Sequence, residues 1–527
     1  MLQYYFEDLL QISPSLAYFL GHHTPHTMST VEVSIGPDWR NKYKLLVQAY
    51  QKRLHDYHPP QSNKHAVLDS KLLQQTLKEA QKEIKCDISH LMPISSFNNP
   101  IIEFAFMEKQ IYTGQAQQPK HTKSRYLCYI EFIKQAIVNM REGIQRHITI
   151  PSAICKKAID DMENFISSKS YITNSTLAVY LTRHYEPHLK TLVAFMQKEY
   201  LPHCRDTIGY CNIPGGKAEY RRILSTHTTL PISPQQVHEL GLKEVARITR
   251  ALKNSLAQMQ KAHQDLTAAF NAIMNDPSNL FKNKADALAA YRAEQDVLRK
   301  TVIPKHFYDQ VEPYEVQAVS KEQEASAPGA FIYPATKTRP GVFYINLRDL
   351  RENPRFTVNT LSAHEGIPGH HYQFKHMLEH GVQEYRIYAC DNDAYTEGWA
   401  LYAESLVPHK DPLTTFGRLN YEMLRAVRCV VDTGVHYYGW DYNKALNYMK
   451  THLAFQESEL TSELDRYICI PGQATAYKVG ERFFMDLRRR YLKRSPNKTT
   501  KDYHQAVLSH GVLPLSILEK QLRTTIT

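Results

Sequence analysis

Leu361-Ser362-Ala363-His364-Glu365-Gly366-Ile367-Pro368-Gly369-His370-His371 is the stretch that decides the reading of this chain, and Thr396-Glu397-Gly398-Trp399-Ala400 follows it closely. The first sets an imidazole, a carboxylate and two further imidazoles within eight residues, and the second adds a carboxylate on a later candidate helix. Imidazoles plus a carboxylate are the usual donor set of a hydrolytic Zn²⁺ site, with a glutamate beside the first histidine as general base. On this reading the chain is a zinc hydrolase.

The spacing is not that of H-E-x-x-H, in which histidines four apart share one helix face. Position 368 is proline, and His370 lies six residues after His364. At about 100° per residue, six residues turn a side chain by roughly 240°, away from the first imidazole. His371, seven on, regains the face but lies about two turns, ~10 Å, along the axis. A regular helix therefore cannot chelate one ion with either pair. Pro368-Gly369 offers an exit, since proline removes an i→i−4 hydrogen bond and glycine tolerates unusual dihedrals. If His364 and His370 share an ion, the backbone must bulge, widen or break within residues 366–369. The alternative is a helix that ends at Gly366 and leaves the histidines in a loop.

HEGIPGHHYQ at 364–373 followed by TEGWALYAE at 396–404 resembles the signature pair of the domain-of-unknown-function 885 family (DUF885), mostly bacterial and treated as zinc metallopeptidases. Ile213-Pro214-Gly215-Gly216 through Thr229, Val431-Asp432-Thr433-Gly434-Val435-His436, and Ile470-Pro471-Gly472-Gln473-Ala474-Thr475-Ala476-Tyr477-Lys478-Val479-Gly480 resemble further family blocks in the same order. The resemblance covers nearly the whole chain, loosely before about residue 200. It implies a mainly α-helical, gluzincin-like fold, with one Zn²⁺ per chain held at the positions matching His364, His370 and Glu397.

With 527 residues the chain can bury a large core, and no linker or repeat divides it. The expected organisation is an N-terminal helical region, residues 1–200, covering a catalytic core, residues 201–527. The opening MLQYYFEDLLQISPSLAYFLG has an acidic pair and no basic run before its apolar residues, so it does not read as a signal peptide. No apolar stretch reaches the ~18 residues of a membrane span. Eight cysteines are scattered without a C-x-x-C pair, as expected of reduced thiols in a cytoplasmic protein. The net charge of +11 is modest for the length and calls for no nucleic-acid partner. Its densest cluster, Arg488-Arg489-Arg490-Tyr491-Leu492-Lys493-Arg494, reads as a solvated helix end before it reads as an anionic-ligand patch.

Periodicity favours helix. Ser233-Pro234-Gln235-Gln236 is a capping-box start, and Val237, Leu240, Glu244, Ile248 and Leu252 continue one face, with the pattern running to about Asn275. Ala330-Phe331-Ile332-Tyr333-Pro334 and Gly341-Val342-Phe343-Tyr344-Ile345-Asn346 pair as a hairpin across residues 337–340. The second of these is read as an edge strand, which either binds extended substrate beside Tyr344 by strand addition or is a core element.

Asp391 or Asn392 opens a helix carrying Glu397. Glu404, two turns further on, is a supporting group rather than a ligand, and Asp393 is placed to buttress a histidine ring. Glu365 is the general base. For a second donor to the oxyanion there are two candidates: His436, four residues after Asp432, and Tyr477, four after Gln473. Lys478 and Arg482 are candidates to bind a substrate carboxylate, which would favour exopeptidase action, or else they face solvent. The expected function is hydrolysis of a short peptide by metal-activated water. The rivals are a zinc hydrolase of another amide or ester, and a non-catalytic scaffold retaining the fold.

Overall fold

Apolar residues recur at helical spacing through most of the chain, and a computed structural model carries them as helices buried along one face. It describes residues 1–86, 88–261, 265–321, 324, 328–336, 339–390, 392–409 and 411–524. The fold is mainly α-helical with one small sheet, as expected. Two compact units are formed, Met1–Glu219 and Tyr220–Thr527.

In Met1–Glu219 the principal helices are Leu2–Ile12, Pro37–His55, Lys64–Lys85, Pro119–Gln145 and Ser152–Ser167. The opening segment belongs to this core: Leu2, Tyr5, Phe6 and Leu10 of its first helix are buried. Arg125, wholly buried on the Pro119–Gln145 helix, forks onto Glu108, so the charge taken from water is paired.

In Tyr220–Thr527 the helices Pro234–Gln258 and Pro412–His436 pack along each other, and Asp393–Glu404 packs on Ala476–Arg494. The capping box at Ser233 forms as expected, with Gln236 N–H donating to Ser233 Oγ at 3.2 Å and Ser233 N–H to Gln236 Oε1 at 2.8 Å. The helix does not run on to Asn275. It stops at Gln258, where Gln260 takes a left-handed φ of 59° and Lys261 N–H closes back onto the Leu256 carbonyl. A separate helix, Leu266–Met274, begins after Asp265, which caps it.

The sheet has three strands, β1 (Glu315–Ala318), β2 (Ala330–Tyr333) and β3 (Val342–Ile345), in the order β1-β3-β2. β2 and β3 pair antiparallel with Phe331 opposite Tyr344, as the hairpin reading requires, although residues 337–338 of its turn lie outside the described residues. β1 was not anticipated. It pairs parallel to β3, so β3 is central and both its backbone edges are taken. Strand addition at β3 is therefore excluded, and among the described residues the edge of the sheet beside the His364 segment belongs to β2. Phe343 and Ile345 are fully buried, while Tyr344 lies on the opposite face, stacked on Phe331 at 5.3 Å. Among the described residues, no helix is long and apolar enough to cross a membrane.

Candidate metal centre

Val358–Leu361 is one helical turn that widens into a π turn over Ser362–Gly366, where Ile367 N–H reaches back five residues to the Ser362 carbonyl at 3.0 Å. A π turn displaces the side chains that follow it from regular helical phase. Ile367 is then extended (φ −123°, ψ 121°), and a new helix, His370–Glu379, begins with Gly369 as its cap. The break demanded by the six-residue spacing lies within residues 366–369. Gly369 passes so close to the preceding turn that a Cβ on it would fall 1.9 Å from the His364 carbonyl oxygen. This close return brings the His370 ring to 5.0 Å from that of His364, the two planes 88° apart.

Glu397 arrives from the helix Asp393–Glu404, capped by Asn392, whose Oδ1 accepts from Tyr395 N–H at 3.2 Å. Asp391, the other expected cap, lies outside the described residues. Glu397 Oε2 is 3.4 Å from His364 Nε2 and 3.3 Å from His370 Nε2. The three atoms lie within 4.8 Å of one another. Glu397 Oε2 is buried without a hydrogen-bond partner, although two imidazoles flank it. Burial alone would raise the Glu397 pKa, but His370 and His364 overcome it and hold the carboxyl well below its usual range. Burial likewise opposes charge on His364, yet Glu397 and Glu404 outweigh it and raise its pKa to about 9.

Glu404 takes the supporting role read from its two-turn offset. It sits 2.8 Å from His364 Nδ1, which donates to it, so Nε2 is the nitrogen turned toward Glu397 and His370. Arg425 stands behind Glu404 at 3.5 Å. Glu365, half-buried in the π turn, places its charge beside both His364 and Tyr314. Tyr477 reaches the centre from the Ala476–Arg494 helix, its ring nearly parallel to that of His364 at 6.3 Å. Its hydroxyl accepts from Arg466 at 2.9 Å, and the same guanidinium donates to Gln473 at 2.8 Å. Burial raises the Tyr477 pKa, so the phenol stays protonated.

Other expected residues are placed elsewhere. Lys478, one position beyond Tyr477, turns into a buried acidic cluster and pairs with Glu481, with Glu422 at 3.1 Å and with Glu244 at 3.8 Å. Arg482 leans toward the same Glu244 at 3.9 Å. Lys478 is thus buried among carboxylates, away from any substrate carboxylate, whereas the Arg482 side chain is 42% exposed. Asp432 does not charge His436: it accepts from Tyr220 O–H at 2.5 Å and from Gly472 N–H, and His436 Nε2–H donates to the Tyr467 carbonyl at 2.8 Å. Asp393 buttresses a histidine, but it is His227. His371 turns away from His364, and its Nε2–H donates to the Glu312 carbonyl at 2.9 Å. Tyr344 remains in the aromatic face of the sheet with Phe331 and Tyr333.

The sequence reading passed over Trp399, which is wholly buried and donates its indole N–H to the Pro368 carbonyl at 3.1 Å, tying the second motif to the broken turn of the first. Its signal was its place inside the second motif. Arg425 and Arg466 carried no comparable signal.

No curated protein matches the chain. Among solved structures, a "putative lipoprotein" from Colwellia psychrerythraea is similar at 22% identity with a TM-score of 0.86, covering 99% of each chain. A "putative lipoprotein of unknown function" from Shewanella oneidensis is similar at 18% identity with a TM-score of 0.75, covering 98% of each. At these identities the likeness is one of fold. The description of both as lipoproteins overturns the cytoplasmic location expected from the sequence. That expectation rested on the first residues and the scattered cysteines, and where this chain begins has no bearing on it. The family described as bacterial protein of unknown function (DUF885) matches residues 14–522, and the chain belongs to that family.

Proposed function

We propose that the chain is a zinc-dependent hydrolase whose substrate is a short peptide. The observation that carries this reading is the convergence of His364 Nε2, His370 Nε2 and Glu397 Oε2 on one point, with Glu397 Oε2 buried and unbonded. A tetrahedral ion with bonds of about 2.0–2.1 Å sets its ligand atoms roughly 3.3–3.4 Å apart, which fits these separations. Zn²⁺ bound there would polarise a carbonyl and acidify water. Glu365 takes the proton of the attacking water and returns it to the leaving amine. Tyr477, held by Arg466, donates toward the developing oxyanion. The β2 edge, beside the π turn, offers main-chain groups to an extended peptide.

With Lys478 committed to buried glutamates, one of the two cations that would favour an exopeptidase is taken from that role. The test is a peptide-library digest with purified protein of counted zinc content, run beside Glu365→Gln. The variant should keep its zinc and lose at least ~10²-fold in turnover, because glutamine preserves the shape and cannot take the proton. Near-normal turnover by that variant would exclude Glu365 as the base.

A further inference from the structure

The helix His370–Glu379 carries two more histidines at its far end, His376 and the capping residue His380. Four residues apart, they share a helix face, and their rings stack with centroids 4.0 Å apart. Asp309, on the segment between the helix Ile303–His306 and β1, sets its Oδ2 3.2 Å from His376 Nδ1 and 3.4 Å from His380 Nε2. These approaches are not hydrogen bonds. Asp309 Oδ2 and both ring nitrogens of His376 are buried with no hydrogen-bond partner, and His376 is only 3% exposed. An ordinary histidine–carboxylate pair would align an N–H on the oxygen. Here one potential ligand atom from each of the three residues lies within 4.8 Å of the others.

The details repeat those of the first trio. His380 Nδ1–H is committed to the His376 carbonyl at 2.9 Å, which leaves Nε2 as the ligating atom, as Glu404 does for His364. The carboxylate-to-imidazole separations, 3.2 and 3.4 Å, match the 3.4 and 3.3 Å around Glu397. The side chains of His380 and Asp309 are 34% and 36% exposed, which gives an ion a way in from solvent.

We infer that Asp309, His376 and His380 form a second metal site, of the two-imidazole, one-carboxylate class that takes Zn²⁺. Its work is structural. The same segment already meets the helix where Tyr372 O–H donates to the Asp309 carbonyl at 3.4 Å and His371 to the Glu312 carbonyl at 2.9 Å. An ion here fastens it to the helix that begins with His370.

The test uses the full chain, stripped with chelator, reloaded with Zn²⁺ alone and counted after gel filtration. Wild type should hold two ions, His380→Ala and Asp309→Asn one each, His364→Ala one, and His364→Ala with His380→Ala none. Asp309→Asn keeps the side-chain size, so it guards against loss of ion through misfolding. In the two second-site variants zinc should also raise the Tm by less than it does in wild type. If neither His380→Ala nor Asp309→Asn lowers the count, this site is refuted. If those variants lower it and His364→Ala does not, the hydrolase centre falls and this site stands.

Discussion

Gly369 is required by contact: a Cβ would meet the His364 carbonyl oxygen at 1.9 Å and that of Ala363 at 2.4 Å. Backbone oxygens cannot swing aside as a side-chain tip can, so Gly369→Ala must push the turn open. The expected cost is at the upper end of the usual overpacking range, about 1–3 kcal/mol. The expected signature is a zinc affinity at the first centre reduced more than tenfold, because the approach of His370 to His364 depends on that return. A zinc titration beside thermal unfolding checks it, and unchanged affinity would show that the histidines can meet without the close passage. This demand was legible in sequence as a conditional one: if His364 and His370 share an ion, helical geometry requires a bulge, a widened turn or a break within residues 366–369. Which of these the chain uses was not legible, since widening one turn depends on what surrounds it. The error at Lys478 has a related cause. A buried lysine among Glu244, Glu422 and Glu481 reads in sequence like an exposed one, because Glu244 and Glu422 come from two other helices.

At the level of elements, the centre depends on how closely Asp393–Glu404 approaches Ala476–Arg494. Gly398 and Gly480 meet at the crossing, where a Cβ on Gly480 would lie 2.1 Å from the Ala394 carbonyl oxygen and 2.7 Å from Gly398 Cα. Glu397 is next to one glycine and Tyr477 is one turn before the other, so the crossing sets the distance between ligand and phenol. Gly480→Ala should force the helices apart at a cost of about 1–3 kcal/mol. It should lower turnover while zinc content stays at the wild-type count, since all three ligands of the first centre lie on the other side of the crossing. Unaltered turnover would separate Tyr477 from the chemistry. The helices themselves were legible from periodicity and caps, as at Ser233 and Asn392. The stop at Gln258 was hidden because a non-glycine residue, Gln260, supplies the left-handed turn. β1 was hidden because its four residues, Glu315 to Ala318, bury only Val316 and so show no alternation long enough to read.

Across the whole chain, the basic cluster at 488–494 lies on a helix end, where Arg489 and Arg490 meet Asp486, and Arg490 also meets Glu519. Acid sensitivity should arise from buried neutral histidines. Burial lowers the His504 pKa to about 3. Its Nδ1–H donates to the His306 carbonyl at 2.9 Å, and its Nε2 accepts from Tyr402 O–H at 2.7 Å. The unfolded chain takes a proton near the ordinary value of about 6.5, which the folded chain refuses until far lower pH. The stability this residue allows is thus complete above about pH 6.5 and is lost as pH falls toward 3, with a slope of at most about 1.4 kcal/mol per pH unit. His504→Gln, which does not titrate, should start less stable but lose less Tm between about pH 7 and about pH 5 than wild type. Equal losses in the two chains would place the acid sensitivity in another group.

The broken turn at 366–369 also bears on how such centres are found. A text search for two histidines at a fixed interval treats the residues between them as a ruler. Here they are a hinge-like spacer, with the Trp399 indole fastened to the Pro368 carbonyl and Gly369 folded against His364. What the chemistry constrains is the meeting of three atoms from two segments, and the interval between the first two is free to lengthen wherever the chain can turn back. A pattern that fixes the interval will pass over chains of this kind. One that asks for His-Glu, a nearby Pro-Gly, a following histidine and a glutamate on the next helix will not.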